Sequence, residues 1–162
     1  MAHTLHAEMW LPLPTEQVFA FFGNVANLDA LTPPSLHFKT LAPDGLVLRA
    51  GTVLEHRLRM FGIPIRWQSE LTVWNPPHQF VDEQRRGLYK TWKHRHDFLA
   101  HNGGTLICDH IEYRARGWFL EPLVHRWIVA PKLRAVFEHR HKRTRELLAP
   151  QSTGADDKIV FL

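Results

Sequence analysis

A chain of 162 residues has the size of one domain and can bury an adequate core without staples. Its 44% hydrophobic and 22% charged content excludes wholesale disorder, and its single cysteine, Cys108, excludes an intrachain disulfide and a cysteine metal cluster. The formal charge of +4 leaves twelve His uncounted and does not by itself indicate a nucleic-acid partner.

The opening MAHTLHAEMWLPLP carries no Lys or Arg and no continuous apolar run, so a signal peptide is not expected. No stretch approaches the roughly 18 apolar residues that span a bilayer. With one cysteine, the expected compartment is the cytoplasm.

Residues 3–11 read as a first strand, ended by Pro12 and Pro14. Thr15 then suits an N-cap, with Glu16 in the first turn of a short helix whose Val18, Phe19, Phe21, Phe22 and Val25 are apolar. Asn24 or Asn27 caps a second short turn that Pro33-Pro34 terminates. From 36 to 115 the period changes to two, with turn signals every ten residues or so, and predicts strands 36–42, 52–61, 64–74, 79–86, 89–100 and 104–115. Gly62-Ile63 suits a type II′ turn that sets Leu58 opposite Trp67 and Leu54 opposite Leu71. Asn102-Gly103 suits a type I′ turn that sets Phe98 opposite Ile107, His96 opposite Asp109, His94 opposite Ile111 and Trp92 opposite Tyr113. Pro122 fits a first helical position. Leu123, Val124, Trp127 and Ile128, then Leu133, Val136, Phe137, Leu147 and Leu148, continue at helical spacing. Pro131 predicts a bend or break between 127 and 132, which would let residues 118–130 gate a cavity. Residues 1–149 thus form one domain, and 150–162 read as a loop-like tail.

Strand, two short helices, six strands and a long helix is the order of the helix-grip, or START-like, fold: an α+β domain with a seven-stranded antiparallel sheet wrapped around a C-terminal helix. Particular runs go further: Leu31-Thr-Pro-Pro34, Phe61-Gly-Ile-Pro64 leading to Trp67, Trp74-Asn-Pro-Pro77, Phe80-Val-Asp82, Trp92-Lys-His94-Arg-His96-Asp-Phe98, and Gly104-Thr105 leading to Asp109 and Tyr113. Together they resemble the bacterial SRPBCC proteins, in a branch near polyketide cyclases/dehydrases and the G-type subunit of carbon monoxide dehydrogenase. The resemblance covers residues 3 to about 148. It implies a deep cavity between the concave sheet face and the long helix, with no fixed cofactor.

Alternation decides which side chains face inward. On strand 52–61 they are Leu54, His56, Leu58 and Met60, and on 64–74 they are Ile65, Trp67, Ser69, Leu71 and Val73. Phe80, Asp82 and Gln84 follow, then Trp92, His94, His96 and Phe98, with Ile107, Asp109, Ile111 and Tyr113 opposite. The concave face is therefore apolar with a polar patch of His56, Asp82, Gln84, His94, His96 and Asp109. Such a patch is either a hydrogen-bonded network that fixes packing or a set of groups that orient a ligand, and the two readings coexist. No metal is expected. His94 and His96 with Asp109 or Asp82 imitate two histidines and a carboxylate, but the spacing is common and the resembled family does not ordinarily bind metal.

Three functions follow. The first is a binding protein for a small hydrophobic or amphipathic molecule (lipid, polyketide or aromatic), with Trp67, Trp92, Tyr113, Trp127 and Phe137 as apolar walls. The second is a cyclase- or dehydratase-like enzyme in which His96 and Asp109 form an acid–base pair, His96 holding a proton more readily than His94. Nucleophilic catalysis is disfavoured, because Cys108 points outward and Ser69 lacks an orienting acid. The third is a partner- or membrane-associated protein acting through the basic helix of Arg134, Arg140, Lys142, Arg143 and Arg145. Glu138 and Glu146 interrupt those bases and no stacking platform accompanies them, so they read as a solvated face rather than a nucleic-acid surface.

Overall fold

The computed structural model describes residues 2–43, 45–116, 121–154 and 157–162. Strand β1 (His3–Leu11) leads into helices α1 (Thr15–Phe22) and α2 (Val25–Leu28). A 3-10 turn at Pro34–Leu36 precedes β2 (Lys39–Leu41), β3 (Val53–Met60), β4 (Ile63–Asn75), β5 (Gln79–Arg86), β6 (Thr91–His101) and β7 (Gly104–Arg114). Helix α3 (Glu121–Val124), a π-helical turn (His125–Val129), α4 (Ala130–Leu148) and β8 (Lys158–Phe161) complete the chain. The strands form one sheet in the order β2-β3-β4-β5-β6-β7-β1-β8, with every neighbouring pair antiparallel. The fold is α+β and helix-grip, as expected.

The strand count is eight rather than seven, because the tail adds β8 along the outer side of β1, with Leu5 opposite Phe161 and Glu8 opposite Lys158. An ion pair from Asp157 to Arg145, at 2.8 Å, ties the approach to β8 onto α4. The apolar IVFL that ends the chain was the signal for this strand.

The β6–β7 hairpin follows its turn chemistry. Asn102 and Gly103 are both left-handed, at φ 48° and 73°, as a type I′ turn requires, and His96 faces Asp109. The β3–β4 hairpin departs from expectation. Its turn is Phe61-Gly62, at φ 51° and 78°, so Leu58 faces Ile65, His56 faces Trp67 and Leu54 faces Ser69. Proline is the reason. A turn at Gly62-Ile63 would need residue 64 to donate its N–H across the closing pair, and Pro64 has none to give. The displacement is two residues along the partner, so every side chain keeps its face.

A bulge in β4 does change faces. Leu71 pairs with Asp82 but Val73 pairs with Val81, which leaves Thr72 as an extra residue. Val73, expected inward, is consequently exposed, and Trp74 turns in to meet Phe19 and Phe80. Thr15 is the first residue of α1 rather than its cap, and its hydroxyl accepts a hydrogen bond from Thr105. Asn24 caps α2 as expected, accepting from the Ala26 N–H. The expected strand at 36–42 shortens to three residues because Pro34 starts a 3-10 turn and His37 is left-handed.

Two apolar clusters make the core. Met9, Leu11, Val18, Phe19, Leu71, Phe80, Phe98 and Ile107 fill the end under α1, while Leu5, Ala7, Ile111, Tyr113, Leu133 and Phe137 fill the end under α4. In place of the expected break between 127 and 132, the helix runs on and its α-helical ladder is interrupted just before Pro131. A π turn carries the interruption: the Ala130 N–H reaches back five residues to the His125 carbonyl, and Pro131 lies in the first turn of the new α segment, where its missing donor is not needed. Residues 118–120 of the expected gate lie outside the described residues.

The corrected turn is testable. Phe61 is a non-glycine residue in the left-handed region and is 70% exposed. Phe61→Asn should therefore stabilise the fold by about 0.5–1 kcal/mol, since asparagine favours the first position of a type I′ turn. Urea denaturation reads the change, and a loss of stability would contradict this turn assignment.

Candidate functional site

Between the curved sheet and α4 lies a cavity of 420 Å³. Its walls come from β3 to β6, α2 and the following loop, and the Lys132–Arg140 stretch of α4. They are mostly apolar, with Leu54, Leu58, Trp67, Trp74, Leu88 and Trp92 prominent. Two other concavities, of 540 and 470 Å³, are grooves along the outside of α4 and the tail. One is lined largely by charged side chains such as Arg134, Glu138 and Lys142, as a solvated helix face would be.

Of the expected site residues, His56, Trp67, Asp82, Trp92, His94 and His96 line the cavity. Trp67 and Trp92 meet edge to face, with ring centroids 5.5 Å apart. Asp109 lies directly behind the two histidines and is 2% exposed. Tyr113 and Phe137 are core residues in the layer behind the wall, Phe137 meeting the His94 ring edge to face at 5.8 Å. Trp127 is not a wall. It is 69% exposed and carries the Arg126 guanidinium over its ring, because the π turn changes the angular step that α-helical spacing presumes. Gln84 is committed to the β5–β6 connection, where its amide donates to the Tyr89 carbonyl and accepts from the Tyr89 N–H. Alternation missed Trp74, whose inward turn comes from a bulge with no clear mark in the sequence, and Tyr89, at an outward position of the expected strand 89–100.

The polar patch has two parts. His56 sits between Thr40 and Ser69, with Nδ1 3.1 Å from the threonine hydroxyl and Nε2 3.3 Å from the serine hydroxyl, and stacks on Phe38. Burial holds its imidazole at about 4, against a smaller upward pull from Asp82 and Asp29.

The second part is a carboxylate–imidazole cluster. Asp82 on β5 faces His94 on β6, and Asp109 on β7 faces His96. One oxygen of Asp109 serves both rings: it accepts from His94 Nε2 at 2.9 Å and lies 2.8 Å from His96 Nδ1. The second contact is an ion-pair distance that lacks hydrogen-bond alignment. On the opposite side, Asp82 Oδ2 is 3.3 Å from His96 Nε2 and 3.7 Å from His94 Nδ1. The rings lie 3.7 Å apart, and His96 stacks on Phe80.

Environment separates the two imidazoles. Desolvation, then the field of His96, holds His94 at about 4. Desolvation also acts on His96, but Asp109 and Asp82 outweigh it and raise its value above the ordinary one. Both carboxyls stay low despite burial, Asp109 well below the usual carboxylate range, because the imidazoles favour the anions. Cys108 on the outer face has its thiol pushed up to about 11 by burial and nearby acids, which makes it a poor nucleophile at neutral pH.

His56 gives a pH prediction. The folded imidazole resists protonation until about pH 4, while an unfolded one takes its proton near 6.5. As pH falls through that window the unfolded chain binds more protons, so stability is lost. The loss should be on the order of 2 kcal/mol between about pH 7 and pH 5. His56→Gln, which keeps partners for Thr40 and Ser69, should remove that share of the slope in urea melts at the two pH values. An unchanged slope would show that His56 is solvated.

A Chromobacterium violaceum protein, CV1439, superposes with a TM-score of 0.71 at 16% identity, over 91% of this chain and 98% of its own. The ZhuI aromatase/cyclase of Streptomyces sp. R1128 does so with 0.70 at 12%, over 94% and 100%. Norcoclaurine synthase of Thalictrum flavum gives 0.64 at 14%, over 92% and 88%. No curated protein matches by sequence. Residues 32–148 match the family model described as Domain of unknown function (DUF8410), so the chain belongs to that family.

Proposed function

We propose that the chain is a binding protein for a small hydrophobic or amphipathic molecule, held in the cavity between the sheet and α4. The cavity itself carries this reading: 420 Å³ lies within the range of small-molecule sites, and a mostly apolar lining with a few convergent polar groups is what such sites present. Trp67 and Trp92 provide flat apolar walls, and His56, Asp82, His94 and His96 provide the polar groups that orient a ligand. A lipid, a polyketide or an aromatic compound fits that chemistry. The aromatase/cyclase among the structural neighbours supports a place in the branch near polyketide cyclases. Residues 1–149 form the binding unit and the tail steadies it. A single cysteine supports a cytoplasmic location.

One observation favours a second reading, a cyclase- or dehydratase-like enzyme. His96 reaches the cavity wall with Asp109 behind it, as an acid–base pair requires. Turnover of an enolisable polyketide-like compound that is lost in His96→Ala, with binding retained, would establish it.

The binding reading predicts that native mass spectrometry of purified protein finds a bound small molecule, identifiable after extraction. Leu58 lines the cavity and is buried. Leu58→Trp should grow into the open space, weaken binding of a fluorescent apolar probe at least about tenfold, and leave the melting temperature within a few degrees. A large fall in melting temperature would mean that the space is filled core, and the binding reading would fail.

A further inference from the structure

We propose that Asp82, His94 and His96 bind a first-row divalent cation, zinc in the first instance, with Asp109 behind both imidazoles and hydrogen-bonded to His94. Spacing along the sequence is too common to carry this. Register supplies it: β5 places a carboxylate beside His94, and β7 places another beside His96, so each ring has an acid on both flanks.

The distances then divide the four ring nitrogens into two pairs. His94 Nε2 and His96 Nδ1 lie 2.9 and 2.8 Å from Asp109 Oδ1. The other two, His94 Nδ1 and His96 Nε2, point to Asp82 Oδ2 at 3.7 and 3.3 Å. One ligand atom from each of Asp82, His94 and His96 can be chosen so that all lie within 4.8 Å of one another. In a tetrahedral zinc site with bonds of 2.0–2.2 Å, neighbouring donor atoms are about 3.4 Å apart. Binding would draw these side chains in to that spacing.

Chemistry points the same way. When His94 donates a hydrogen bond from its Nε2–H to Asp109, its Nδ1 presents a lone pair, and that lone pair faces the lone pairs of Asp82. A proton on His96 relieves one such confrontation, whereas a cation satisfies all three donors together. Charge balance agrees, since the carboxylates of half-buried Asp82 and buried Asp109 match the two charges of the ion. A carboxylate behind a ligating imidazole is the usual means of fixing its tautomer and orientation. Two imidazoles and one carboxylate suit zinc or iron(II). The three ligands line the cavity, so the remaining coordination position opens into it, toward water or an oxygen donor of an amphipathic ligand. The field of Arg140, on the same wall, reaches Asp82 and works against the ion, which limits its affinity. The site stands whether or not the cavity holds an apolar molecule.

The test uses the whole chain, stripped by chelator, dialysed, and titrated with cobalt(II) alone. One equivalent should bind, give the intense visible absorption of a four-coordinate site, and be displaced by zinc. Asp82→Asn should abolish that band, and Asp109→Asn should weaken binding about 10–100-fold, both with cooperative thermal melts. His96→Gln serves as a second ligand variant if Asp82→Asn does not fold. Three results would overturn the proposal: no uptake by the wild type, a weak octahedral spectrum, or binding that survives loss of the ligand unchanged, which marks an adventitious ion on the other histidines.

Discussion

The Asp109 carboxylate is the group on which the interior depends. It is 2% exposed on the inner face of a sheet, where an unpaired charge would cost several kcal/mol. Two imidazoles on the neighbouring strand compensate it, and they can do so only while His96 faces Asp109. A slip of one residue between β6 and β7 would send the carboxylate outward and bring Cys108 or His110 inward. The type I′ turn at Asn102-Gly103 guards against this, so local backbone chemistry and a buried charge specify the same pairing. Asp82 secures the far side of the cluster from β5, and three adjacent strands thereby acquire a common register.

The cluster also organises the space around it. It lies between the two apolar clusters, with Phe98 and Ile107 on one side and Trp92, Ile111 and Tyr113 on the other. The cavity opens beside it, with Trp67, Phe80 and Trp92 among its lining residues. His94 and His96 are each only 4% exposed, with Asp109 on one side of the pair and Asp82 on the other.

The sequence carried most of this and failed in identifiable places. Period-two alternation and the Asn-Gly turn were enough to locate the His96–Asp109 pair, and His56, Trp67, Asp82, Trp92, His94 and His96 all reached the cavity. The failures were local departures from regular geometry. Pro64 moved one turn by a residue, the bulge at Thr72 exchanged Val73 for Trp74, and the π turn carried Trp127 to the surface. Each is an irregularity of one residue or one turn, and hydrophobic periodicity averages over such events. Alternation already grouped Asp82 or Asp109 with the two histidines; that both carboxylates flank the pair at once was not legible, because it joins strands through lateral contact, which spacing within one strand does not encode.

The sheet order has a consequence for how the chain is made. Strand β1 pairs along its whole length with β7, about a hundred residues later, and with β8 at the end of the chain. At synthesis rates of about 5–20 residues per second, β1 leaves the ribosome many seconds before β7 exists. During that interval Leu5, Met9 and Leu11, each almost wholly enclosed in the finished domain, have no partner strand. The hairpins from β3 to β7 can close as they emerge, since their contacts are near in sequence. Closure of the sheet by β1, and with it the second half of both apolar clusters, therefore waits until β7 has been made. A nascent chain stalled before residue 105 would hold its N-terminal strand in the open, where a holding chaperone or a neighbouring nascent chain would compete for it.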